Sequence, residues 1–93
     1  MESLKWYLEY IQRFEPMSKD EERVVMLKAK NGDKAARELI INSNLRFVVS
    51  VAKKYQNQGI ALEDLISEGN KGLIKAYDKF DVSKNVKFIT YGV

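Results

Sequence analysis

Apolar residues recur along this chain every three or four positions, the period of a helix buried on one side. The pattern is clearest over residues 62–80, LEDLISEGNKGLIKAYDKF. On a helix, Leu62, Ile66, Leu73, Tyr77 and Phe80 form one stripe that must be buried. Asp64, Glu68, Lys71, Lys75 and Asp78 fall on the opposite side. Glu63, Ser67, Asn70 and Ile74 make a flank that is neither plainly core nor plainly surface. The other flank is small: Gly69, Gly72 and Ala76. Glycine inside a helix costs about 1 kcal/mol relative to alanine, so close approach of a second helix is expected there.

The same period organises the rest. Ser3 is placed to cap a first helix carrying Leu4, Tyr7, Leu8, Ile11 and Phe14, and Pro16 lies at or just past its end. Ser18 with Glu21 makes a capping box, so a second helix starts near Lys19. Its apolar positions are Val24, Val25 and Leu27, and Asn31-Gly32 is the stop. Asp33 caps a third helix with Ala36, Leu39, Ile40, Val48, Val51, Ala52 and Tyr55 on its apolar side. FVVSV alone reads as a strand, but the helical period runs through it. The third helix is therefore expected to continue to Gln58-Gly59, kinked near residues 42–44. After the helix over 62–80 comes a polar turn at 81–85, and a further helix begins at Val86. The expected fold is all-α: one compact bundle of about four helices, with a fifth just beginning at the C-terminus.

Composition narrows the chemistry. With 93 residues there is room for a single domain. There are no cysteines and no histidines, which removes disulfides, thiolate–zinc sites and Ser–His or Cys–His nucleophiles. Carboxylate pairs such as Glu63/Asp64 and Asp78/Asp81 are ordinary on surface helices. No phosphate loop, metal-ligand cluster or activated nucleophile accompanies them, so the chain does not read as an enzyme and calls for no cofactor. No apolar run approaches the roughly 20 residues of a membrane span. The N-terminus, amphipathic and bearing two glutamates, is unlike a signal peptide. Net charge is +3, with a basic tilt after residue 46. That tilt fits nucleic acid and fits equally an ordinary lysine-rich solvated face.

Three blocks then stand in order: NLRFVVSVAKKY, DLISEGNKGLIKAYDKFD and KFITYGV. With the segment upstream of them they resemble the core helical domain of bacterial RNA polymerase sigma factors of the housekeeping, sigma-70 type. The resemblance covers nearly the whole chain: 1–32 is similar to region 1.2, 33–58 to region 2.1, 60–81 to region 2.2, and 86–93 to the start of region 2.3. The family continues after KF-x-TY with a tryptophan pair. Here the sequence ends at that point, so the resemblance implies a fragment. It also implies a cytoplasmic location.

What else it implies is specific. The polar edge of the 62–80 helix, at Asp64, Ser67, Glu68, Asn70 and Ile74, would dock on the clamp helices of the largest polymerase subunit; Ser67 stands where many members have glutamine. Carboxylates on a rigid helix suit a basic partner helix. The local alternative is that Glu68 simply pairs with Lys71. Asn44, with Phe47 and Glu22, would line a pocket for a flipped base of the non-template strand near the −10 element; the alternative is an amide satisfied by backbone carbonyls. Tyr7 and Leu8 would touch the discriminator, although Glu9 stands where a basic residue is common; the alternative is that they are core. Lys87, Phe88, Thr90 and Tyr91 match the start of the −10 reading element, and Arg46, Lys53 and Lys54 would face the non-template strand. Core polymerase and promoter DNA are the expected partners, and an anti-sigma regulator is a further one the family allows. Against this transcription-initiation reading stands a helical protein-interaction domain without a DNA role.

Overall fold

The computed structural model describes residues 2–81. Five α-helices occupy them: α1 (Glu2–Tyr10), extended by a 3-10 turn (Ile11–Arg13), α2 (Lys19–Lys30), α3 (Lys34–Asn42), α4 (Leu45–Lys53) and α5 (Leu62–Lys79). No strand occurs among the described residues, and FVVSV lies in α4. The helix expected from Val86 falls outside them. Helix α1 already includes Ser3, so Ser3 sits inside the helix and is not its cap.

The punctuation between helices follows local chemistry. At the start of α2 the Ser18 hydroxyl accepts from the Glu21 amide at 3.2 Å, and the Glu21 carboxylate accepts from the Ser18 amide at 3.1 Å. These two bonds satisfy donors the helix cannot. At its other end Gly32 adopts φ +101°. The Gly32 amide bonds to the Ala29 carbonyl and the Asp33 amide to that of Lys28, a Schellman closure that needs the left-handed residue. Asp33 then caps α3 through the Ala36 amide at 3.0 Å.

The expected single third helix is two helices. In a continuous helix the Asn44 amide would bond to the Ile40 carbonyl. Here the Asn44 side chain takes that carbonyl at 2.7 Å, and its backbone amide moves to Ile41. The Ser43 hydroxyl likewise bonds to Leu39 O at 2.6 Å. Side chains competing for helix carbonyls break the ladder, and α4 begins as a separate helix at Leu45. It also stops at Lys53, short of Gln58-Gly59; Asn57 (φ +67°) and Gly59 (φ +91°) turn the chain toward α5.

Helix α2 packs chiefly on α3, and α4 on α5. Ile11, Met26 and Ile40 are fully buried, each contributing roughly 1.5–3 kcal/mol. Around them lie Leu45, Val48, Val49, Ala52, Ile66, Leu73, Tyr77 and Phe80; of the α5 stripe, only Leu62 is half-buried. The apolar face expected for α2 is displaced. Val24 and Leu27 are 56 % and 42 % exposed, and the buried side is Glu22, Met26 and Ala29. Leu39 and Tyr55 are also exposed, not core.

Close helix approach occurs at one glycine of the small flank. A Cβ on Gly69 would stand 2.6 Å from Val48 Cγ1, whereas one on Gly72 would meet nothing within 4 Å. The two glycines therefore predict opposite outcomes. Gly69→Ala should destabilise by about 1–3 kcal/mol, because stiff Val48 must move. Gly72→Ala should stabilise by about 1 kcal/mol through helix propensity. Urea unfolding followed by circular dichroism distinguishes the two signs. The capping box adds a pH signature. The Ser18 amide, then its hydroxyl, hold the Glu21 carboxyl below its ordinary 4.5. This support is complete above that ordinary value and lost as pH falls through the lowered native one. The Ser18 amide resonance should titrate with Glu21 below pH 4.5, and Glu21→Gln should abolish that titration.

Candidate functional site

Helix α5 is held along two of its sides. Ile66, Leu73 and Tyr77 anchor one side, and Gly69 lets α4 come close on another. Its polar edge is thereby held in place. Asp64, Ser67 and Glu68 are exposed, and Ile74 is an exposed apolar side chain beside them. Glu63 and Asp64 sit in the first turn, where the helix dipole favours negative charge. Glu68 pairs with Lys71 at 3.3 Å, both side chains well exposed. Such a pair is worth only a few tenths of a kcal/mol, so a partner's cation can displace Lys71 at little cost.

Asn70 differs from the outward group expected from sequence. It is half-buried and turned toward α1, donating from Nδ2 to the Tyr7 hydroxyl at 3.1 Å. Its Oδ1 is buried with no hydrogen-bond partner among the described residues. Leu4, Tyr7, Glu63, Ile66, Ser67 and Asn70 line a cleft of about 270 Å³ between α1 and α5. A buried carbonyl without a donor is costly, and here it lies on the wall of a cleft.

The residues matched to DNA contacts are dispersed. Tyr7 and Leu8 pack half-buried against the core. Glu22 and Asn44 are only 4 % and 7 % exposed, and the Asn44 amide is bonded to Ile40 O, the backbone-satisfied alternative. Phe47 is partly exposed, and Arg46, Lys53 and Lys54 are exposed. Lys87, Phe88, Thr90 and Tyr91 lie outside the described residues.

Two features escaped the pattern of apolar positions. Trp6, 63 % exposed, stacks on Tyr10 at 5.2 Å; Tyr10 meets Phe14 edge-on at 5.3 Å and carries Arg13 at 5.0 Å from its ring centre. The fourfold spacing of Trp6, Tyr10 and Phe14 is the signal that could have shown this ladder. At the far end of α5, Lys30 from α2 donates to the Tyr77 carbonyl and lies 4.1 Å from the centre of the Tyr77 ring. Arg37 from α3 lies 5.2 Å from the same centre. Burial pushes the Tyr77 phenol up, with Arg37 pulling down and Asp78 reinforcing the rise. No sequence signal links Lys30 to Tyr77, which is 47 residues away.

The Sigma-70 region 2 family model matches residues 40–93. The chain is 51 % identical over 77 residues to an RNA polymerase sigma-E factor of Clostridium acetobutylicum, covering 83 % of this chain and 33 % of that protein. It is 47 % identical over 88 residues to the sigma factor SigA of the same organism, and 46 % over 88 residues to a SigA of a Bacillus species; each match covers 95 % of this chain and 23 % of that protein. The chain thus spans 23–33 % of the length of these curated relatives.

The α1–α5 contact is directly testable. Tyr7→Phe removes the hydroxyl that engages Asn70 and leaves a second polar atom of that amide unpaired. Stability should fall by about 1–2 kcal/mol, with faster hydrogen exchange concentrated in α1. A loss spread evenly over all helices would contradict this role.

Proposed function

This chain belongs to the sigma-70 family, and on that premise we propose that it is a transcription-initiation module. It acts by binding, not catalysis. The polar edge of α5 docks on the clamp helices of the largest polymerase subunit, and docking brings the module against promoter DNA around the −10 element and discriminator.

The observation that carries the docking step is the exposed row Asp64, Ser67, Glu68 and Ile74 on a helix whose other sides are fixed. Asp64 and Glu68 offer charge-assisted bonds to arginine or lysine on a partner helix. Ile74 supplies an apolar contact at the end of that row. Asn70 supports the edge from behind, its amide held by Tyr7.

The DNA role draws on α1 and α4. Arg46, Lys53 and Lys54 are exposed on α4 and its end, where a strand would gain sequence-independent attraction. Phe47 offers part of a ring to a base. Tyr7 and Leu8 are the discriminator contacts of this reading, and Tyr7 must release Asn70 if its ring is to stack on a base. Burial of Glu22 and Asn44 favours a second reading in which the module binds its protein partner and leaves the flipped base alone. In either reading polymerase docking comes first.

Glu68→Lys should abolish capture of the chain by isolated clamp helices, at least a hundredfold in affinity, since like charges across an interface cost several kcal/mol. Capture of this variant at undiminished affinity would exclude the edge as the docking surface. Asn44→Ala, tested for crosslinking to single-stranded −10 DNA in the docked state, separates the two readings: only the base-pocket reading loses the crosslink.

A further inference from the structure

We propose that Lys30, Arg37 and Lys34, gathered at the junction of α2, α3 and the end of α5, form a second, sequence-independent contact for the phosphate backbone of DNA. Two cations from different helices converge there on one buried ring. Lys30 Nζ is 4.1 Å and Arg37 Cζ 5.2 Å from the centre of Tyr77. Lys30 is further fixed by its bond to the Tyr77 carbonyl. Lys34 is one turn before Arg37 on α3, and all three side chains are exposed.

Asp78 follows Tyr77 and acts on its phenol, but no carboxylate pairs with Lys30 or Arg37 among the described residues. The acid between them in sequence, Asp33, is engaged in capping α3. Two positive groups held near one ring, with a third close by, leave a local potential that an external anion would satisfy. The ring limits how far the lysine and guanidinium groups wander, so less freedom is lost when they engage a ligand. The guanidinium fork suits paired phosphate oxygens, and lysine serves as a point charge.

The same geometry indicates what is not read. Tyr77 is buried, with both cations at its ring, so it offers no open platform on which a base could stack. The contact therefore positions DNA without specifying sequence. That the polyanion is nucleic acid, and not an acidic peptide, rests on the reading of the chain as an initiation module. The corner is separate from the docking carboxylates Asp64 and Glu68, which lie in the first half of α5.

The test is the salt dependence of binding to duplex DNA of unrelated sequence, by fluorescence anisotropy at about 0.1 M ionic strength and above. Each phosphate contact contributes about 0.9 to the slope of log affinity against log salt. Arg37→Gln should lower the slope by about that amount, equally for two unrelated sequences. Lys34→Gln should lower it too. Lys19→Gln is the control: Lys19 is exposed at the start of α2, about 16 Å along the helix from Lys30 and beyond the screening length of roughly 10 Å. An unchanged slope for folded Arg37→Gln and Lys34→Gln, or an equal fall in all three variants, overturns the site. Because Lys30 also supports α5, Arg37 and Lys34 carry the result. Polyglutamate competing better than DNA of equal charge would assign the corner to an acidic protein segment and overturn the nucleic-acid proposal. If the slope does not respond while Glu68→Lys still abolishes clamp capture, this inference fails and the docking reading stands.

Discussion

The contact between Gly69 and Val48 sets how closely α5 packs on α4. It is the place where α5 meets α4 so closely that even a methyl group lacks room. Glycine weakens a helix, and here the loss is offset by burial of the valine and its neighbours Ile66 and Leu73. The result is a tightly packed pair of helices. The acidic edge of α5 and the basic residues of α4 are therefore presented in a fixed relation. A partner that grips one determines where the other points.

Much of this arrangement was legible in the sequence where the cause is local. The capping box of Ser18 and Glu21, the Asn31-Gly32 stop and the Asp33 cap each depend on residues within three or four positions of one another. What failed depends on geometry between distant segments or on atoms that periodicity does not count. Val24 and Leu27 rank as more apolar than Ala29, yet α3 covers the side of α2 that carries Met26 and Ala29. The apolar period runs unbroken past Asn44, because a pattern of apolar positions is blind to an amide that takes a carbonyl four residues back. The small flank of α5 reads as uniform in sequence; of its two glycines, only Gly69 stands close to a neighbour.

The candidate site was legible to the same degree. Exposure of Asp64 and Glu68 follows from helical phase alone, whereas Ser67 lies on the flank that phase leaves undecided. The inward turn of Asn70 does not follow from phase, because its partner Tyr7 lies 63 residues away. That bond joins the helix proposed to reach the discriminator to the helix proposed to dock. Between them lies an amide oxygen without a donor, which makes the junction less settled than the α4–α5 pair. The described fold thus contains one stiff interface and one that can be remade.

Trp6 gives this difference an optical side. It is the chain's sole tryptophan, water-exposed on α1 with its indole against Tyr10. Its emission reports the wetness of that helix and of nothing else in the molecule. Any strand or protein settling over α1 would dry the indole and shift its light toward the blue, whereas a grip confined to the far side of α5 would leave the colour unaltered.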